Sequence, residues 1–115
     1  MQQTLTELEQ DFERMIFLKA WVNGKIIASV RGHADGDSAH ILRLIVHPYF
    51  RGRGLGARLV KEIERAFPGV KRIEAFTGHK SKRNLAALDK QGYRQYKTVP
   101  GGPGINWIYV EKILP

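Results

Sequence analysis

Apolar residues along the chain change period several times, and the changes divide it into elements. Between Thr4 and Met15 the residues Leu8, Phe12 and Ile16 recur at helical spacing, with Thr6 placed to cap, so this stretch predicts a helix. From Phe17 to Val22 the period shortens to two, which is the mark of a strand. Asn23-Gly24 is a strong hairpin signal, and Lys25 to Gly32 reads as the partner strand. Asp35-Gly36-Asp37 makes the next turn, and Ala39 to Val46 a third strand of an antiparallel meander.

His47-Pro48 ends that strand, because proline cannot donate to a ladder. A glycine-rich loop follows. Leu55, Leu59, Val60, Ile63 and Phe67 then form one apolar stripe of a helix that Pro68-Gly69 stops. Arg72 to Thr77 reads as a fourth strand. Ser81 is placed to cap a further helix, with Leu85 and Leu88 inward and Gly92 as its stop. Arg94 to Val99 and Trp107 to Ile113 read as a final strand pair joined by Gly101-Gly102-Pro103-Gly104. The order predicts an α+β, mixed α/β architecture: a central, mostly antiparallel sheet of about six strands flanked by helices. The length of 115 residues suits a single domain over 1–115.

Composition narrows the chemistry. Of the residues, 43% are hydrophobic, enough for a core, and no apolar run approaches the roughly 20 residues that span a bilayer. Met1 to Arg14 is polar, carries four acidic residues and lacks the pattern of a signal peptide, so a cytoplasmic protein without a membrane partner is expected. The chain has no cysteine, which excludes disulfides, thiolate metal sites and a cysteine acyl-enzyme. The four histidines are too widely spaced for a zinc site, so no metal is expected. The net charge of +8 favours polyanionic partners, among them nucleic acid, anionic membrane and a phosphate-rich cofactor. No helix carries the dense basic row of a nucleic-acid reader, and the basic residues cluster near the glycine loop instead.

That loop, Arg51-Gly52-Arg53-Gly54-Leu55-Gly56, runs from a strand end into a helix start. Free backbone amides and the helix dipole make such a place an anion site, and glycines let a phosphate approach. A Walker loop is absent. Gly52-x-Gly54-x-x-Ala57 matches a dinucleotide fingerprint, with Glu74 about 20 residues on, but the antiparallel meander before it is the wrong context. The third phosphate-loop pattern, Arg51-x-x-Gly54-x-Gly56, fits its setting.

With Leu44 to Gly56 before it and Phe76 to Leu85 and Gln91-Gly92-Tyr93 after it, the chain resembles the GNAT (Gcn5-related N-acetyltransferase) superfamily over roughly residues 17 to 114. The resemblance implies a sheet splayed between the third and fourth strands and direct transfer of an acetyl group from acetyl-CoA to an amine. It implies that Leu44, Ile45 and Val46 bind the pantetheine arm by their backbone. The amides of Gly52, Arg53, Gly54, Leu55, Gly56 and Ala57 would hold the pyrophosphate, with Arg51 bracing the loop. Ser81 stands where the family often has an asparagine near the pantetheine, and Asn84 follows one turn later. Lys80, Lys82 and Arg83 are placed by charge near the adenosine phosphates. Leu88 stands where a tyrosine general acid is common, which leaves the proton donor open.

His40 near the start of the third strand is the candidate base, since imidazole titrates near neutrality; the alternative is a half-exposed strand histidine. His79, in the loop after the fourth strand, is a candidate donor or a solvated loop residue. His47 before Pro48 reads as a loop residue, and His33 as a turn residue without a role. Tyr93, Tyr96, Trp107 and Tyr109 line an acceptor pocket or belong to the core, and the glycine hairpin at 101–104 is a flap or a plain turn. The resemblance also implies an opening strand and helices ahead of the meander, of which the strand and one helix are expected to be absent, so a homodimer through a bare sheet edge, or an unusually open acceptor site, is expected. A non-catalytic acyl-CoA-binding domain is the alternative to an enzyme.

Overall fold

The computed structural model describes the backbone of residues 4–10 and 15–115 and the side chains from Met15 onward. Seven strands form one sheet in the order β1-β2-β3-β4-β5-β7-β6. They are β1 (Thr4–Gln10), β2 (Met15–Val22), β3 (Lys25–Asp35), β4 (Ser38–Val46), β5 (Arg72–Gly78), β6 (Arg94–Gly102) and β7 (Ile105–Ile113), with helices α1 (Leu55–Arg65) and α2 (Lys82–Lys90).

The segment expected to open as a helix is instead strand β1, paired antiparallel with β2 from Thr4↔Trp21 to Gln10↔Met15. A neighbouring edge that offers unpaired backbone groups outweighs the weak helical spacing of a short polar segment. Phe12, part of that expected stripe, lies outside the described residues. The opening strand expected to be missing is therefore present. The edge of β2 is paired along its length, so a homodimer would need another surface.

The meander follows its sequence closely. Strand β2 buries every second residue, Ile16, Leu18, Ala20 and Val22. Asn23 and Gly24 take φ of 50° and 78°, the left-handed pair that a two-residue hairpin turn requires. The remaining elements run as expected, with ends shifted by a few residues. Gly101 and Gly102 belong to β6, so the last turn is shorter than the glycine run suggested.

Helix α1 faces β2, β3 and β4 with a stripe of Leu55, Leu59, Val60 and Ile63. Each such side chain contributes about 1.5–3 kcal/mol on leaving water. Helix α2 packs against α1 on the same face and buries Leu88. We call this the back face. No helix among the described residues covers the front face, and none is long and apolar enough to cross a membrane. Strand β6 is exposed along its whole length and carries Pro100, as an edge strand should.

Gly32 shows how closely α1 lies on the sheet. A Cβ there would fall 2.4 Å from the Phe67 ring and 2.9 Å from Ile63 Cγ1. Strand propensity alone would favour a larger residue here. We expect Gly32→Ala to lower stability by about 1–3 kcal/mol, through overpacking against a buried ring. A thermal melt checks it, and an unchanged Tm would contradict this packing.

Candidate active site

The site begins where pairing ends. Strands β4 and β5 run parallel and pair only from Ser38↔Arg72 to Ile41↔Ala75. Beyond Ile41 the strands part, which is the expected splay. On its other side β4 slips register against β3: Arg31 faces Leu42 and Ser29 faces Ile45, so Arg43 and Leu44 oppose Val30 alone. Arg43 sits in this bulge at φ 51°, a left-handed conformation unusual for arginine. The end of β4 is thereby turned away from β5.

After β4 a short 3-10 turn, Pro48–Phe50, carries the chain into the glycine loop. His47 Nδ1 accepts from the Tyr49 amide at 3.1 Å and closes this turn, so His47 has the structural place read for it. Arg51 Nε donates to the Val46 carbonyl at 3.2 Å and ties the loop to the strand. Gly52 and Gly54 take φ of 81° and 74°, and Gly54 is the N-cap residue of α1. The amides that follow, at the first turn of α1, lack partners within the helix. A Cβ on Gly56 would lie 3.4 Å from Ala87 Cβ, so a small residue here lets α1 and α2 approach. The guanidinium of Arg53 lies 5.5 Å over the Phe50 ring, and Arg53 does not line the cleft.

Together these elements enclose a cleft of about 790 Å³. Leu44, Ile45 and Val46 form one wall, and Ser81, Arg83, Asn84 and Ala87 the other. Arg51, Lys80, Lys82, Arg83 and Lys90 all line it, and no carboxylate does. Asn84 Nδ2 donates to the Leu44 carbonyl at 2.8 Å, bridging α2 to the free end of β4. Ser81 is the N-cap of α2, makes no side-chain cap bond and lines the cleft.

A second cleft of about 560 Å³ fills the gap between β4 and β5. Leu44, Asn84 and Leu88 line it from the back, and Arg31, Leu42, Phe76 and Trp107 from the front. Leu44 and Asn84 border both clefts, so the gap joins the back-face groove to the open front face.

The two histidines singled out by sequence are not brought together. His40 is on the front face, opposite Glu74, with Nδ1 3.0 Å from Glu74 Oε1. Glu74 also accepts from Arg72 Nη2 at 2.7 Å and from the Tyr96 hydroxyl. Arg72 Nε reaches Glu111 Oε1 at 2.6 Å. Burial pushes the Glu74 carboxyl up, but the Tyr96 hydroxyl and the Arg72 guanidinium hold it below the ordinary glutamate value. Burial and the Glu74 carboxylate push the Tyr96 phenol up. His79 closes a reciprocal pair with Asn106: its amide donates to the Asn106 carbonyl at 2.8 Å, and its Nδ1 accepts from the Asn106 amide at 2.9 Å. The ring proton of neutral His79 is thus on Nε2. Neither histidine lines either cleft.

The aromatic residues divide. Tyr93 is buried on the back face and donates to Glu64 at 2.9 Å, where Lys112 also binds, so it belongs to the core and not to an acceptor pocket. Burial and Glu64 push its phenol well above the ordinary value. Tyr96, Tyr109 and Trp107 share the front face with Phe76: the Phe76 ring stacks on Tyr109 at 5.2 Å and meets Trp107 edge-on at 5.6 Å. Sequence reasoning gave no role to Arg31 or Phe76, and met Glu74 only as the acidic residue of the discarded dinucleotide fingerprint. The alternation of Glu74 and Phe76 with buried Ile73 and Ala75 marks their shared face, but only the strand register brings Arg31 and His40 beside them.

Comparison with known proteins agrees with this geometry. An acetyltransferase of Pectobacterium atrosepticum is 43% identical over 63 residues, which are 50% of this chain and 45% of that protein. The chain therefore spans about half the length of the curated relatives it matches. The ribosomal-protein-S18-alanine N-acetyltransferase of Escherichia coli superposes with a TM-score of 0.79 at 17% identity, covering 96% of this chain and 92% of that one. A GNAT family acetyltransferase of Elizabethkingia anophelis with acetyl-CoA bound superposes with a TM-score of 0.71 at 20% identity, covering 87% and 76%. The model of the acetyltransferase (GNAT) family matches residues 1–93, and the chain belongs to that family.

Proposed function

We propose that this chain transfers an acetyl group from acetyl-CoA to an amine, by direct attack within a complex of all three. One observation carries the proposal: a glycine nest opening α1 lies at the foot of a strand whose backbone has been unpaired from its neighbour. An elongated ligand with a diphosphate at one end and amide groups along its arm fits both features. The first-turn amides of α1 receive the diphosphate, and Lys80, Lys82 and Arg83 lie at the mouth for further phosphate charge. The backbone of Leu44, Ile45 and Val46 pairs with the amides of the arm, as β5 would have done. The thioester then reaches the gap, where amides of the β4 bulge stabilise the oxyanion that forms on its carbonyl.

The amine enters from the front face and must lose a proton. His40 takes it through water: with Nδ1–H directed at ionised Glu74, the Nε2 lone pair of the neutral ring is left to accept. Leu88 lines the gap and supplies no proton. The departing thiolate is protonated by water; the Nε2–H of His79 cannot serve, because its Nδ1 accepts from the Asn106 amide and the neutral ring is a far weaker acid than a thiol. The absence of a phenol beside the gap also favours a second reading, an acyl-CoA-binding domain without turnover. Release of free CoA over many cycles with an amine separates the two.

Calorimetric titration with acetyl-CoA tests the cradle. Binding should be lost in Gly54→Glu, which puts a bulky anion into the nest, and retention of wild-type affinity would refute the cradle. For the base, we expect His40→Gln to lower kcat/KM by about 10²–10⁴-fold and to flatten the acid limb of the pH–rate profile. An unaltered limb would remove His40 from the mechanism.

Glu74 supplies a stability test independent of turnover. Its folded carboxyl titrates below the ordinary 4.5, so its stabilising effect is present above that pH and lost as pH falls through the folded value. Glu74→Gln should lower Tm at pH 7, and its deficit relative to wild type should shrink as pH falls below the ordinary 4.5. A deficit independent of pH would contradict the ionised assignment.

A further inference from the structure

Resting on that reading, we infer that the acceptor is an amine that also carries a carboxylate, with Arg31 receiving the carboxylate and Phe76 and Trp107 its apolar body. The cleft in the gap is lined by two arginines, Arg31 and Arg43, and by no acidic residue. Arg31 is half-buried on β3, opposite Leu42, where the front face opens into the gap. Its guanidinium lies 5.5 Å over the Phe17 ring, and no carboxylate among the described residues lies within ion-pair reach of it.

The same face shows the contrast. Arg72, also half-buried, holds both Glu74 and Glu111 in charge-assisted bonds. A half-buried guanidinium lining a cleft, without such a partner among the described residues, is suited to receive a planar oxyanion. Phe76, 41% exposed and in contact with Tyr109 and Trp107, offers a flat apolar wall to the same cleft. A polycationic amine meets the arginines unfavourably. An amine bearing its own carboxylate is drawn in by Arg31, which leaves its nitrogen free to face the gap.

The test uses the full chain loaded with CoA and a matched pair of ligands, phenylalanine and phenylalaninamide. The pair differs in the carboxylate. By calorimetry the acid should bind at least about tenfold more tightly than the amide, as a charge-assisted bond in a partly buried site allows. Arg31→Gln should bring the two within about twofold, Arg31→Lys should retain part of the preference, and acetyl-CoA affinity should be unchanged in both variants. Equal binding of acid and amide, binding of neither, or a preference that survives Arg31→Gln would overturn the inference while leaving the transferase reading intact. Failure of the wild-type chain to bind acetyl-CoA would overturn that reading, and the acceptor assignment with it.

Discussion

Four parallel residue pairs hold β4 to β5, and beyond Ile41 β4 keeps its pairing with β3 but has no strand on its β5 side. Unpaired peptide groups inside a sheet are costly, so such a gap persists only if something enforces it and something else uses it. The bulge at Arg43 and Leu44 enforces it by rotating the strand end. Asn84 holds the Leu44 carbonyl from α2 and Arg51 holds the Val46 carbonyl from the loop, so two acceptors of the strand end are satisfied by side chains. The other features of the site depend on this parting. The glycine nest lies where the displaced strand delivers the chain, and the gap opens a passage from the back-face groove to the front.

Charge is distributed to match. Five basic side chains line the walls of the back-face groove without an acid among the described residues. On the front face the acids are already committed: Glu74 serves His40, Tyr96 and Arg72, and Glu111 serves Arg72. That arrangement fixes one imidazole, that of His40, at the closed end of the splay with its Nδ1 against Glu74. The open end keeps its positive charge. The two faces thus present different chemistry to the two ends of one gap.

Much of this was legible because the signals were local. Alternation in β2, the Asn23-Gly24 turn, the Leu55 to Ile63 stripe and the Arg51 to Gly56 loop each carry their physics within a few residues. Residues 4–10 were misread because a short polar segment near its helix–strand balance is decided by the edge it meets, and β2 offered one. Tyr93 was assigned to either the pocket or the core, and only its contact with Glu64 decides, because the turn at Gly92 sets the face it takes. The pairing of His40 with Glu74, and the arrival of Arg31 beside Phe76, depend on register between strands distant in sequence. No local pattern encodes such a register.

Amide hydrogen exchange with and without acetyl-CoA tests the central claim most directly, since it reads the two backbone segments said to share one ligand. Protection should rise together at Leu44–Val46 and at Gly52–Ala57, with little change in β6. Protection at the loop alone, or at neither segment, would contradict an account in which the parted strand and the glycine nest hold the same molecule.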